Sequence, residues 1–315
     1  MKFAWHFRTA LMFAVLTTLF AGLGWVVGYY FNDPLIGVLI MVIFAVVILS
    51  VSALLSKSRA LKSNRVKLVT EAEEPRFYRI VRAVAEKANI PMPEVGVTET
   101  FMPNAFATGS GPKNAAVVAT RGLLDALPDD ELEGVIAHEI SHVKNRDILV
   151  MSVASAVSAV IAFVARMAMY SAMFGGGRNN NSGPMILVAV VGYITLPFAA
   201  LLLQLSISRN REYLADESAA QITGKPIALA NALLRIEKGC DHPKNNYNNP
   251  AYSSIWISNP RGTRRSFSER LFSTHPDTAD RVERLMKLSD KYGNDLSPPT
   301  FDYDLSKQYD PYKRK

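Results

Sequence analysis

Five histidines occur in the 315 residues, and two stand four apart beside a glutamate, in His138-Glu139-Ile140-Ser141-His142. Residues i and i+4 share one face of a helix. Both imidazoles can then reach one tetrahedral zinc ion at about 2.0–2.1 Å. Glu139 lies too close in register to be a third ligand on that face. It suits a general base acting on water beside the metal. The bland alternative is two surface histidines on an amphipathic helix. Two of only five histidines meeting a glutamate at this spacing argues against it. A catalytic zinc site needs a third protein ligand and one open position. The extended H-E-x-x-H-x-x-G-x-x-H form is excluded, because Asn145 and Ile148 hold its Gly and His positions. One cysteine, Cys240, excludes a disulfide scaffold and any multi-cysteine metal site. The candidates for the third ligand are Glu212, Asp216, Asp147 and His275. Glu212 and Asp216 are four apart on one predicted helix. One of them can ligate while the other accepts the second N–H of a ligand histidine. The competing reading is a solvated face paired with Arg209 and Arg211.

Several elements must position these residues. Asp129 opens the motif helix, with Glu131 and Glu133 in its first turns at the positive dipole end. The helix is expected to run through Val143 and on into a following apolar segment. Glu73 to Asn89 has helical spacing, with Phe77, Ile80, Val81, Val84, Ala85 and Ala88 on one face. Val95 to Thr98 reads as a strand. Asn104 to Thr108 and Ala115 to Thr120 read as a hairpin around Gly109-Ser110-Gly111-Pro112. The helix bearing Glu212 should stop at Thr223, before Gly224 and Pro226. Ile227 to Lys238 and Ala279 to Leu288 read as further helices. Gly239 to Phe267 is a long irregular stretch rich in Asn, Pro and aromatics.

Composition adds the surroundings. The chain is 49% hydrophobic and 20% charged, with net charge +7. The averages hide four segments that are long and nearly uncharged: Ala10 to Tyr30, Leu35 to Leu55, Ile148 to Tyr170 and Met185 to Ile207. About 20 apolar residues suffice for a membrane-spanning helix. A cleavable signal peptide is the alternative for the first, and a pair of buried core helices for the last two. Lys57, Arg59, Lys62, Arg65 and Lys67 follow the second segment. Lys144 and Arg146 precede the third, and Arg209 and Arg211 follow the fourth. The opposite loops carry only Asp33 and Arg178. The positive-inside rule therefore predicts four spans, with both termini and both large polar regions in the cytoplasm. This placement explains the basic balance through lipid headgroups. No nucleic-acid-binding motif accompanies it, so no nucleic-acid partner is expected. The expected divisions are residues 1–56 as a transmembrane hairpin and 57–147 as a cytoplasmic region with the motif helix. Residues 148–207 form a second transmembrane pair, 208–290 a second cytoplasmic region with the third ligand, and 291–315 a disordered tail.

Ala137 to His142 and Ser208-Arg209-Asn210-Arg211-Glu212-Tyr213-Leu214-Ala215-Asp216 resemble the HtpX family of membrane-bound zinc metalloproteases, relatives of the CAAX prenyl proteases. Asn104 to Gly109, Thr120 to Leu124, and Ser273-Thr274-His275-Pro276 with Arg281 match further family motifs. The resemblance implies an α+β, mostly helical fold, a zincin-like metalloprotease domain built around multi-pass transmembrane helices. It implies one zinc ion per chain, held by His138, His142 and Glu212, with Glu139 catalytic and Asp216 supporting. It also places Asn104 on a substrate-binding edge strand, and His275 and Arg281 near the metal. The expected substrates are proteins, chiefly damaged membrane proteins at the cell membrane. A prenyl-protein protease and an inactive membrane scaffold are the rival readings. The oligomeric state is not legible in the sequence.

Overall fold

The computed structural model describes residues 2–29, 32–174, 182–240 and 276–292. The chain divides into two compact units, Met1–Ser56 with Ile148–Arg211, and Lys57–Asp147 with Glu212–Lys315.

The first unit is helical. Helix α1 (Lys2–Tyr29) is followed by helix α2 (Pro34–Ser63), and the Asp33 N–H donates to the Gly28 carbonyl at 3.1 Å. Asn32 takes a left-handed φ of 53° there, and the Asp33 carboxylate accepts the Leu35 N–H at 2.9 Å. The two helices meet at glycines. A Cβ on Gly37 would lie 2.2 Å from the Gly24 carbonyl oxygen, so only a glycine permits this approach. Helices α6 (Asp147–Phe174) and α7 (Ser182–Thr223) complete the unit, the latter continuing into the second. Leu16, Phe20, Met41, Ala154, Val160, Ile161, Ala200 and Ile207 form a common core.

Two of these helices are long and apolar enough to cross a membrane, over Asp147–Tyr170 and Leu187–Thr223. Only 28% and 6% of their most apolar windows are buried, unlike the core helices of a soluble protein. The apolar part of α7 ends at Ile207, before Arg209. The apolar runs of α1 and α2 are shorter, Ala10–Val26 and Pro34–Val47 among the described residues.

The second unit wraps helices around a four-stranded sheet ordered β1-β2-β4-β3. These strands are β1 (Lys67–Leu68), β2 (Glu94–Thr98), β3 (Ala105–Gly111) and β4 (Asn114–Thr120). β2 runs parallel to β4, with Val95 opposite Val117. The hairpin partner β3 is antiparallel to β4, with Ala107 opposite Val117, and β3 forms the sheet edge. Helix α3 (Pro75–Ala88) starts on a proline and ends at Asn89, whose φ of 54° gives the left-handed cap. Its buried stripe is the one read from the spacing.

Thr120 ends β4 and caps the short helix α4 (Arg121–Ala126) by accepting the Leu123 N–H. Helix α5 (Asp129–Lys144) carries the H-E-x-x-H motif and is buried through Leu132, Val135, Ile136, Ala137 and Ile140. Helix α8 (Pro226–Cys240) packs against it. A Cβ on Gly134 would lie 3.1 Å from Leu229 backbone, and Arg235 holds Glu131 through two contacts of 2.8 and 2.9 Å. Helix α9 (Thr278–Tyr292) closes the core with Val282, Leu285 and Leu288.

One expectation needs correction. The motif helix does not run on into the next apolar segment. It stops at Lys144, and Asn145 and a left-handed Arg146 (φ 54°) turn the chain before α6 starts at Asp147. The irregular stretch lies almost wholly outside the described residues, as do His275 and the tail.

Candidate metal centre

Helix α5 places His138 and His142 one turn apart, with their ring centroids 4.7 Å apart and their planes nearly perpendicular. Their Nε2 atoms approach to 3.1 Å. α7 brings Glu212 opposite. One of its oxygens lies 3.5 Å from His138 Nε2 and the other 3.6 Å from His142 Nε2. Among the described residues, these three form a group able to hold a metal ion. A tetrahedral ion with ligands at about 2.0–2.1 Å separates its donors by roughly 3.3 Å. The observed separations bracket that value. Two imidazole nitrogens and one carboxylate suit zinc, and three ligands leave the fourth position open. The residues present therefore fit the metal.

Each histidine has a carboxylate behind it. Asp216, one turn beyond Glu212, lies 2.9 Å from His138 Nδ1. Asp147 lies 2.7 Å from His142 Nδ1. A carboxylate on Nδ1 fixes the tautomer that leaves Nε2 free to ligate. Arg281, from α9, is only 1% exposed. It grips Asp216 with Nε–Oδ2 at 2.9 Å and Nη2–Oδ1 at 2.7 Å. Its Nη1 also comes within 3.7 Å of Glu212.

The electrostatics follow from this packing. Burial and Arg281 both disfavour a charged His138, yet the Asp216 and Glu212 carboxylates outweigh them and lift its pKa to about 9 in the metal-free protein. Burial opposes ionisation of Asp216, but Arg281 and His138 hold its carboxyl below the usual range. Burial pushes Glu139 upward, toward a group that can hold a proton. The Glu139 carboxylate accepts the Ala107 N–H at 2.9 Å and is thereby tied to edge strand β3. Asn104 lies just before that strand. It is buried, and its N–H and carbonyl both bond Thr120.

The structure thus gathers His138, Glu139, His142, Glu212, Asp216 and Arg281 in one unit, with Asn104 at the start of the neighbouring strand. Asp147 was a ligand candidate by residue type, but it sits behind His142 rather than among the three donors. The signal that could have found it is its spacing, five residues past His142 and just beyond the helix end. His275 lies outside the described residues.

A mixed fold with an H-E-x-x-H helix beside an edge strand, and with clustered zinc donors, belongs to the metallopeptidase class. Residues 71–289 match the model of peptidase family M48, and the chain is a member of that family. It is 44% identical over 290 residues to a protein named protease HtpX homolog from Thermococcus sibiricus, covering 91% of this chain and 97% of that one. The protein of the same name from Pyrococcus furiosus is 43% identical over 287 residues, covering 91% and 96%. That from Syntrophobacter fumaroxidans is 41% identical over 286 residues, covering 90% and 99%. Among solved structures, the crystal structure of Ste24p from S. mikatae matches 88% of this chain with TM-score 0.48 and 20% identity. The chain spans 63% of that protein. The protein is accordingly a membrane-associated metallopeptidase that uses zinc and acts on peptides or proteins.

Proposed function

We propose that His138, His142 and Glu212 hold one zinc ion and that Glu139 is the general base of an endopeptidase. The observation that carries this is the convergence of three donor groups at 3.1–3.6 Å beside a buried glutamate. Zinc, when bound, supplies Lewis acidity for the scissile carbonyl and for water. The Glu139 carboxylate takes a proton from the attacking water and returns it to the leaving amine nitrogen. Its upward-shifted pKa suits both halves of that exchange. Asp216, steadied by Arg281, keeps His138 in the ligating tautomer.

The outer edge of β3 is the proposed substrate seat. Because the Ala107 N–H turns to Glu139 rather than to β4, the Ala105 peptide groups and the Ala107 carbonyl point outward as well. An extended peptide added there lies alongside the general base. Asn104 marks the start of this strand and is proposed to bind substrate, as is Arg281 to act near the metal. The proposed setting is the cell membrane, with four spans and with both termini and the site in the cytoplasm. Helices α1 and α2, of 28 and 30 residues, are long enough to span a bilayer. Damaged membrane proteins are the proposed substrates, in protein quality control.

The test is metal analysis with casein and membrane-protein cleavage, comparing wild type with Glu139→Gln. One zinc per chain in both, with cleavage lost only in the variant, is expected. Equal cleavage by both would overturn the mechanism. A reporter fused after Gly176 should lie outside the cytoplasm, and a cytoplasmic reporter would overturn the four-span topology.

A further inference from the structure

The two histidines are supported in different ways. Behind His138 stands a two-residue relay from two helices: Asp216 on α7, then Arg281 on α9. Behind His142 stands Asp147, at 2.7 Å from Nδ1. Asp147 is 4% exposed although it directly follows the turn that ends α5. The left-handed Arg146 is what folds it back. Asp147 is also the first residue of α6, the 28-residue apolar helix. The positive end of a helix favours a negative charge in its first turn. The same backbone position thus sets the carboxylate at that helix end and aims it at one imidazole nitrogen.

We propose that Asp147 is the positioning residue for His142. Its carboxylate accepts the Nδ1–H, fixes the tautomer whose Nε2 faces the metal, and ties the second histidine to the start of α6. A break in the helix between His142 and Asp147 is essential to this. In an unbroken helix, residues five apart lie about 140° apart around the axis and cannot meet. The inference rests on the proposed zinc ligation by His142, and its test separates the two.

Two variants of the full chain in micelles divide the roles of Asp147. Asp147→Ser keeps a residue favoured at helix starts but is too short to reach His142. Asp147→Asn keeps an oxygen that accepts the Nδ1–H. Zinc affinity is read by chelator competition, the ligand field by the visible spectrum of the cobalt-substituted protein, and folding by the melting temperature of the metal-free protein. The serine variant is expected to lose about 10- to 100-fold in zinc affinity with an altered cobalt spectrum. The asparagine variant should stay within a few-fold of wild type, and both should melt near wild type without metal. A serine variant with wild-type affinity and spectrum would overturn the proposal, leaving Asp147 as a helix start only. So would an asparagine variant as weak as the serine one. His142→Ala with unchanged zinc affinity would instead overturn the ligand assignment itself. If the serine variant does not fold, the comparison of asparagine with glycine at 147 is read by the same criteria.

Discussion

In the unit of long helices, large apolar side chains face outward. Trp25, Leu39, Ile43, Leu187 and Val188 are all more than half exposed. In the unit that carries the donor cluster, the inside holds His138, Glu139, Glu212, Asp216 and Arg281. Among the described residues, all the exposed large hydrophobics lie in the helical unit except Leu68, Met92, Phe101 and Met286. The inversion accords with the proposed membrane setting: in lipid, outward apolar surface is favourable, and backbone polar groups are already satisfied within helices. The second unit turns its apolar residues inward, and buried charges survive there only where they pair or ligate. A catalytic site inside such a core is a set of charges held by one another.

That contrast can be broken in several places. The largest expected effect is chemical: Glu139→Gln should lower kcat about 100- to 10,000-fold, while zinc content by mass spectrometry stays at one per chain. Next is the relay behind His138. Arg281→Ala leaves the buried Asp216 carboxylate with His138 as its remaining cationic partner and should cost about 3–5 kcal/mol, read as a shift in urea unfolding of the metal-free protein. A fully stable variant would show that water already reaches that pair. In the helical unit, Val191→Lys places a charge at the outward face of α7. It should cost about 2.5–3.5 kcal/mol of insertion at mid-span and release the protein to alkaline carbonate. Leu68→Lys, an equally outward position in the other unit, should leave extraction and melting unchanged. Identical behaviour of these two variants would remove the distinction between the units.

Smaller effects sharpen it. The folded pKa of His138 is raised from 6.5 to about 9. Its ion pairing therefore stabilises the metal-free protein at acid pH, and that contribution is lost as pH rises through about 9. Zinc needs the neutral imidazole, so its apparent affinity should climb with pH up to the same point, about tenfold per unit for one displaced proton. An affinity independent of pH would mean that His138 is already neutral without metal. Smallest of all, Lys287→Ala removes an exposed i,i+4 pair with Glu283 and should not move the melting temperature measurably.

Much of this was legible because local rules governed it. The period of α3, the hairpin around Gly109-Ser110-Gly111-Pro112 and the stop of α7 at Gly224 are decided by residues within a few positions of one another. So is the pairing of His138 with His142 on one face. The break after Lys144 was not legible. Asn145 and Arg146 are no strong helix breakers, and the apolar run beyond them reads as continuation. There the left-handed Arg146 turns the chain, and Asp147 seats against His142, a contact that spacing along a continuous helix does not suggest.

The sequence by itself determined the chemistry available: an imidazole pair with a glutamate on one helix, a carboxylate pair on another, and long, nearly uncharged apolar segments. Those follow from residue type and helical period alone. Only the tertiary structure decided which carboxylate joined the two imidazoles, and which stood behind each of them. Glu212, Asp216 and Asp147 are equivalent as functional groups. They differ in where α7 and the turn at Arg146 deliver them, α7 from a segment far along the chain and Arg146 from the break just after the motif helix.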